Sequence, residues 1–145
     1  MSFTNILIPV DGSVHAKFAC EIAVKRILSD GKGIVHLVHC FEPIPQLIHG
    51  PSREKLVEEL EAGARVIFDD CIPLFEKANI SYNTQTLYGN HGYLITEQAH
   101  KMGCEVIIMG TRGLGQVKGL VLGSISNAVL YHSEIPVLLV KAPQL

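Results

Sequence analysis

Hydrophobic positions in this chain come in two rhythms. Short uninterrupted apolar runs alternate with longer stretches in which apolar residues recur every three or four positions. The first run, Asn5-Ile-Leu-Ile-Pro-Val10, stops at Asp11-Gly12 and reads as a strand buried on both faces. Ser13 is suited to cap a helix whose apolar stripe is Ala16, Ala19, Cys20, Ala23, Val24, Ile27 and Leu28. Lys17, Glu21 and Lys25 occupy its opposite face at i, i+4 spacing, and Asp30-Gly-Lys-Gly33 ends it. A second apolar strand covers Ile34 to Phe41. The proline-punctuated loop Glu42 to Pro51 follows, carrying Ile44, Leu47 and Ile48 as a contact or lid segment.

A long helix is expected over roughly Ser52 to Ala78. Its stripe is Val57, Leu60, Ala64, Ile67, Phe68, Cys71 and Phe75, and Pro73 should kink or break it. Ser81 to Leu87 alternates weakly and suits an edge strand. His91 to Met102 is a third helix with Ile95, Ala99 and Met102 inward, and Cys104 to Met109 a fourth strand. A glycine-rich stretch from Gly110 to Leu122 leads into a helix beginning near Gly123-Ser124, with Ile125, Ala128, Val129 and His132 on one side. Pro136 to Val140 is the last strand. Strand and helix alternate throughout, which argues for an α/β sandwich around a parallel sheet. Right-handed crossovers limit the topology to a few doubly wound orders. No repeat, low-complexity tract or linker interrupts residues 1–145, so one domain is expected.

Composition narrows the function classes. The 145 residues are 48 % hydrophobic and 18 % charged, with a formal net charge of −2; mean hydropathy is +0.29. Such a chain can bury a large core, so wholesale disorder is not expected. The 12 lysines and arginines do not cluster, which leaves no electrostatic case for nucleic acid. The apolar stretch without formal charge from Gly119 to Ser133 is shorter than the ~20 residues of a membrane span. The opening residues do not pair a basic segment with a long apolar one, so no signal peptide is read and a cytoplasmic protein is expected. The four cysteines (20, 40, 71 and 104) form no CxxC pair and read as reduced, mostly buried thiols.

Candidate chemistry gathers in two loops. Ligands of open parallel sheets bind beyond the C-terminal strand ends, where the strand order switches. One loop is Pro9-Val-Asp-Gly-Ser13. The other, Gly110 to Ser124, has five glycines in fifteen residues and feeds a helix N-terminus, whose free N–H groups and dipole favour an anion. It can cradle phosphate through Gly110, Gly113, Gly123 and Ser124, or be merely a flexible glycine loop. Asp11 likewise suits either a ligand contact or an ordinary turn. Neither the Walker A pattern nor the dinucleotide fingerprint occurs. Neither does the Gly-x-Ser-x-Gly elbow of hydrolases. His36 and His39 of the second strand point to opposite faces; His36 shares a face with Cys40, but two residues do not make a zinc site.

What does occur is Gly110-x2-Gly113-x9-Gly123-Ser124 after a strand ending Ile-Ile-Met. Together with Asn5 to Ser13, Val38-His-Cys40, Met109 to Gly115 and Pro136 to Lys141, it closely resembles the universal stress protein family of the ATP-binding type. The resemblance spans essentially the whole chain. It implies a flavodoxin-like three-layer sandwich of five parallel strands in the order 3-2-1-4-5, with ATP, accompanied by Mg²⁺, at the switch between strands one and four. It implies that Pro9, Val10 and Asp11 line the adenosine side, with the Asp11 carboxylate on the ribose. Cys40 stands at an adenine contact where the family often has Val, and Met109 and Gly110 continue the pocket. Gly113, Gly123, Ser124 and Ile125 would hold the triphosphate. Arg112 and Lys118 are charge partners or solvated loop cations.

With no paired nucleophile and base near the loops, binding is expected rather than catalysis, with slow ATP hydrolysis or a non-nucleotide assembly module as the alternatives. The continuously apolar run Val137 to Val140 would lie at a sheet edge, an aggregation hazard unless covered. The resemblance implies a homodimer through the strand Pro136 to Val140.

Overall fold

The computed structural model describes residues 3–112 and 122–143. Its elements are β1 (Asn5–Pro9), α1 (Val14–Asp30), β2 (Ile34–Phe41), α2 (Gly50–Lys77), β3 (Ser81–Tyr88), α3 (His91–Lys101), β4 (Val106–Gly110), α4 (Ser124–His132) and β5 (Val137–Val140). The strands form one parallel sheet in the order β3-β2-β1-β4-β5. The expected fold class and order hold.

The double burial of the apolar runs is direct. Alternate side chains of a strand face opposite sides. Ile6, Ile8, Val35, Leu37, Val106 and Ile108 meet α1 and α2, while Leu7, Val38, Ile107 and Met109 meet α3 and α4. Small residues on α1 (Ala16, Ala19, Cys20 and Ala23) are fully or almost fully buried and bring that helix down onto the sheet. Ser13 caps α1 as expected, its Oγ accepting from Ala16 N at 3.1 Å. Gly31 closes it by donating its N–H to the Ile27 carbonyl at 2.8 Å.

Edge strand β3 is polar and tethered. Thr86 Oγ1 and Tyr88 Oη donate to Glu61 Oε1 of α2 at 2.6 and 2.8 Å, and Tyr82 Oη donates to Glu76 Oε1 at 2.7 Å. His36 is buried between strands: the Asn83 amide donates to Nδ1 at 2.8 Å, which leaves Nε2–H to donate to Asn5 Oδ1 at 2.8 Å. Both ring nitrogens are therefore used in holding β1, β2 and β3 together.

Three expectations are corrected. Helix α2 runs unbroken through Pro73. Pro73 and Asp69, whose carbonyl loses its intrahelical partner, are both exposed; water can serve that carbonyl while buried Cys71 and Phe75 pin the helix on either side. The same helix begins at Gly50, not Ser52, with Pro51 in its first turn, where its missing N–H costs nothing. The inward face of α4 is Ser126 and Val129, whereas Ile125 and His132 are exposed. Ser126 Oγ donates to the Gly110 carbonyl at 3.0 Å, and that bond sets the roll of the helix.

Candidate functional site

A cavity of about 290 Å³ opens at the C-terminal ends of β1, β2 and β4. Pro9, Val10, Asp11, Cys40, Met109, Gly110, Arg112, Gly123, Ser124 and Ile125 all line it. Gly113 and Lys118 lie outside the described residues. The two loops singled out by their composition thus meet at one place, between adjacent strands β1 and β4.

Local chemistry explains how each wall is held. Val10 donates its N–H to the Val38 carbonyl at 2.8 Å, and its own carbonyl accepts from His39 Nδ1 at 2.7 Å. The second bond places the proton of a neutral His39 on Nδ1. Asp11 Oδ1 accepts from Ser13 N at 2.9 Å, an Asx turn leading into α1. Asp11 therefore has a structural role as well as lining the cavity.

The glycines divide by task. A Cβ on Gly110 would stand 2.6 Å from His15 Cβ, so glycine is required there for α1 to pass the end of β4. Gly123 uses its own N–H on the Thr111 carbonyl at 2.7 Å. It precedes α4 without a side-chain cap, so the helix presents the first-turn N–H groups of Ser124 and Ile125. Together with the helix dipole they make this end of the cavity attractive to an anion. Arg112 lines the same region, and no carboxylate among the described residues lies within ion-pair distance of it.

The far end differs. Strand β2 is two places from β4 in the sheet, about 10 Å at the usual strand spacing. There Val38, Cys40 and Ile95 supply apolar surface. Burial pushes the Cys40 thiol up to about 12, so it presents a neutral S–H surface rather than a thiolate.

Sequence reasoning missed Ser13, Ala16, Val38, His39, His91, Ile95 and Ser126 as lining residues. His91 is the consequential omission. It opens α3, and no local pattern links it to the loops after β1 and β4. Among the described residues no cluster of three or more His, Cys, Asp or Glu is arranged to hold a metal, and no helix is long and apolar enough to cross a membrane.

The Universal stress protein family model matches residues 2–141. The chain belongs to the universal stress protein family. It is 32 % identical over 139 residues to a Thermus aquaticus universal stress protein encoded in the QAH/OAS sulfhydrylase 3′ region, covering 96 % of this chain and 99 % of that protein. The solved structure of the hypothetical protein MJ0577 superposes with a TM-score of 0.83 at 24 % identity and covers 100 % of both chains. A universal stress protein family member from Arabidopsis thaliana, solved with AMP bound, superposes with a TM-score of 0.71 at 16 % identity, covering 97 % of this chain and 92 % of the other.

Proposed function

We propose that this universal stress protein binds ATP, with Mg²⁺ on the phosphate oxygens, in the cavity between β1 and β4. The observation that carries the reading is the polarity of the cavity. One end has the uncapped start of α4 and the Arg112 guanidinium, while the other, about 10 Å away, carries no formal charge and has Val38, Cys40 and Ile95 as apolar surface. A nucleotide has the same polarity: an anionic chain, a hydroxylated sugar and a flat, weakly polar base. In this reading Ser124 and Ile125 hold phosphate, Asp11 accepts from the ribose hydroxyls, and Cys40, Val38 and Met109 flank the base. AMP in the Arabidopsis thaliana relative supports an adenine nucleotide.

Calorimetric titration of nucleotide-stripped protein with ATP and Mg²⁺ tests this. Saturable binding that falls sharply in Gly123→Val supports the reading; no heat from folded protein overturns it. Release of ADP in the same sample would mark the protein as an ATPase as well as a binder.

The second part of the proposal is self-association through β5. That edge strand is entirely apolar, and Leu138 is 36 % exposed. A second copy covering this edge would remove both the free backbone groups and the apolar surface from water.

A further inference from the structure

His91 is the first residue of α3, and the chain holds it there firmly. Asn90 caps the helix by accepting from Tyr93 N at 3.1 Å. Gly92 packs so closely on α4 that a Cβ would come within 2.3 Å of the Ala128 methyl. That close approach seats the start of α3, and His91 with it, against α4. The imidazole lines the cavity at the β2 end, together with Cys40 and Ile95. Its Nε2 is buried and has no hydrogen-bond partner among the described residues. Glu42 Oε1, on the loop just after β2, stands 3.5 Å away without completing a hydrogen bond, and the Glu42 side chain is 86 % exposed.

A buried polar atom left without a partner is unfavourable, and in a native structure it calls for an explanation. Here the explanation lies in what surrounds it. Val38, Cys40 and Ile95 of the neighbouring wall are apolar and cannot satisfy the ring. Glu42 is an exposed surface side chain at 3.5 Å from Nε2, and turning it into solvent costs little. A flat heterocycle entering this end would bring its own hydrogen-bonding edge.

We propose that His91 is the residue that reads the base of the bound nucleotide: its Nε2 takes a hydrogen bond with the nucleobase edge in place of the loose contact with Glu42. This rests on the nucleotide reading of the cavity. It assigns a base-recognition role to a helix-start residue outside the two loops. Whether Nε2 donates or accepts follows from the ring tautomer that the base selects.

The test is titration of the whole chain, residues 1–145, and of His91→Ala, His91→Phe and Glu42→Gln, with ATP and Mg²⁺ and with inorganic tripolyphosphate. Both His91 variants are expected to weaken ATP about tenfold, the effect of losing one hydrogen bond in a desolvated site, and to leave tripolyphosphate unchanged. Glu42→Gln is expected to bind ATP at least as tightly as the wild type. His91→Phe keeps a ring of similar shape, so unaltered ATP affinity in that variant would overturn the inference in favour of simple packing. Equal losses for ATP and tripolyphosphate, or a loss in Glu42→Gln matching that in His91→Ala, would overturn it in favour of a loop tether. Melting curves confirm that each variant folds. A folded wild type that binds no ATP defeats the nucleotide reading, and this inference with it; a wild type that binds ATP beside indifferent His91 variants defeats the inference alone.

Discussion

The two faces of the sheet are built to different ends. Against one face lie α1 and α2, long helices of 17 and 28 residues, and the space between is filled by Phe68, Phe75, Ile27 and a run of alanines. Against the other lie α3 and α4, of only 11 and 9 residues, and the smaller core of Ile95, Ala99 and Val129 gives way at its upper end to the cavity. The thiols show the same contrast. Cys20 and Cys71 sit in the filled face as a hydrogen-bonded pair, Cys20 donating, which raises Cys20 and lowers Cys71. On the hollow face Cys40 is raised by burial alone, and Cys104 by burial first and then by the neighbouring Glu105 carboxylate. One face holds the protein together. The other leaves room for a ligand because its helices are too short to cover the strand ends.

If that division is right, the largest loss of stability should come from the filled face. Phe75→Ala removes a fully buried ring and is expected to cost about 3–5 kcal/mol in denaturant unfolding. On the hollow face the tightest joint is Gly92 against Ala128. Gly92→Val should cost about 1–3 kcal/mol by overpacking and, by shifting α3, should weaken nucleotide binding as well. A variant as stable as the wild type would show that α3 and α4 move apart freely.

Asp11 separates stability from binding at the cavity itself. Asp11→Asn keeps an oxygen for the Ser13 N–H and should fold with stability within about 1 kcal/mol of wild type, yet bind ATP less tightly through loss of the carboxylate. Asp11→Ala should lose both the turn and the affinity. Equal ATP affinity in all three proteins would remove Asp11 from the ribose.

The filled face thins towards β5, and Leu138 emerges there. Leu138→Lys is expected to convert a dimer to a monomer in light scattering with little change in unfolding. Val140 is unsuitable for this experiment because it is 8 % exposed and belongs to the core. An unchanged dimer mass would place the interface elsewhere.

The smallest effect is one of pH. Folding raises Cys40 from its ordinary 9.0 to about 12 and Cys104 to about 11. The folded state therefore keeps protons that the unfolded chain releases above pH 9. The stability these thiols contribute is fully present below pH 9 and is lost as pH rises towards 11 and 12. Denaturant midpoints measured from pH 8 upward should fall, and Cys40→Val should flatten part of that fall.

Much of the architecture was legible along the chain. The run Ile34 to Phe41 is β2 to the residue, and the uninterrupted apolar character of β1 and β4 follows from helices on both sides. Ser13 and Gly31 marked the ends of α1 because capping is chemistry between close neighbours. The roll of α4 was not legible. Apolar periodicity favoured Ile125 and His132, while a hydrogen bond from Ser126 to a carbonyl 16 residues away chose otherwise. Gly110 reads in the sequence as a phosphate-cradling or merely flexible loop glycine, whereas the close passage of His15, a matter of packing, is what requires glycine there.

Sequence alone thus determined the alternation of strands and helices, the loops at which a ligand could be held, and the family. Each depends on hydrophobic periodicity, capping or motif spacing within a short span of chain. Tertiary structure decided which of those residues share a cavity and gave it two unlike ends. It also brought His91 of α3 and Cys40 of β2 to one cavity, because crossovers in a parallel sheet bring together strand and helix ends that are far apart along the chain.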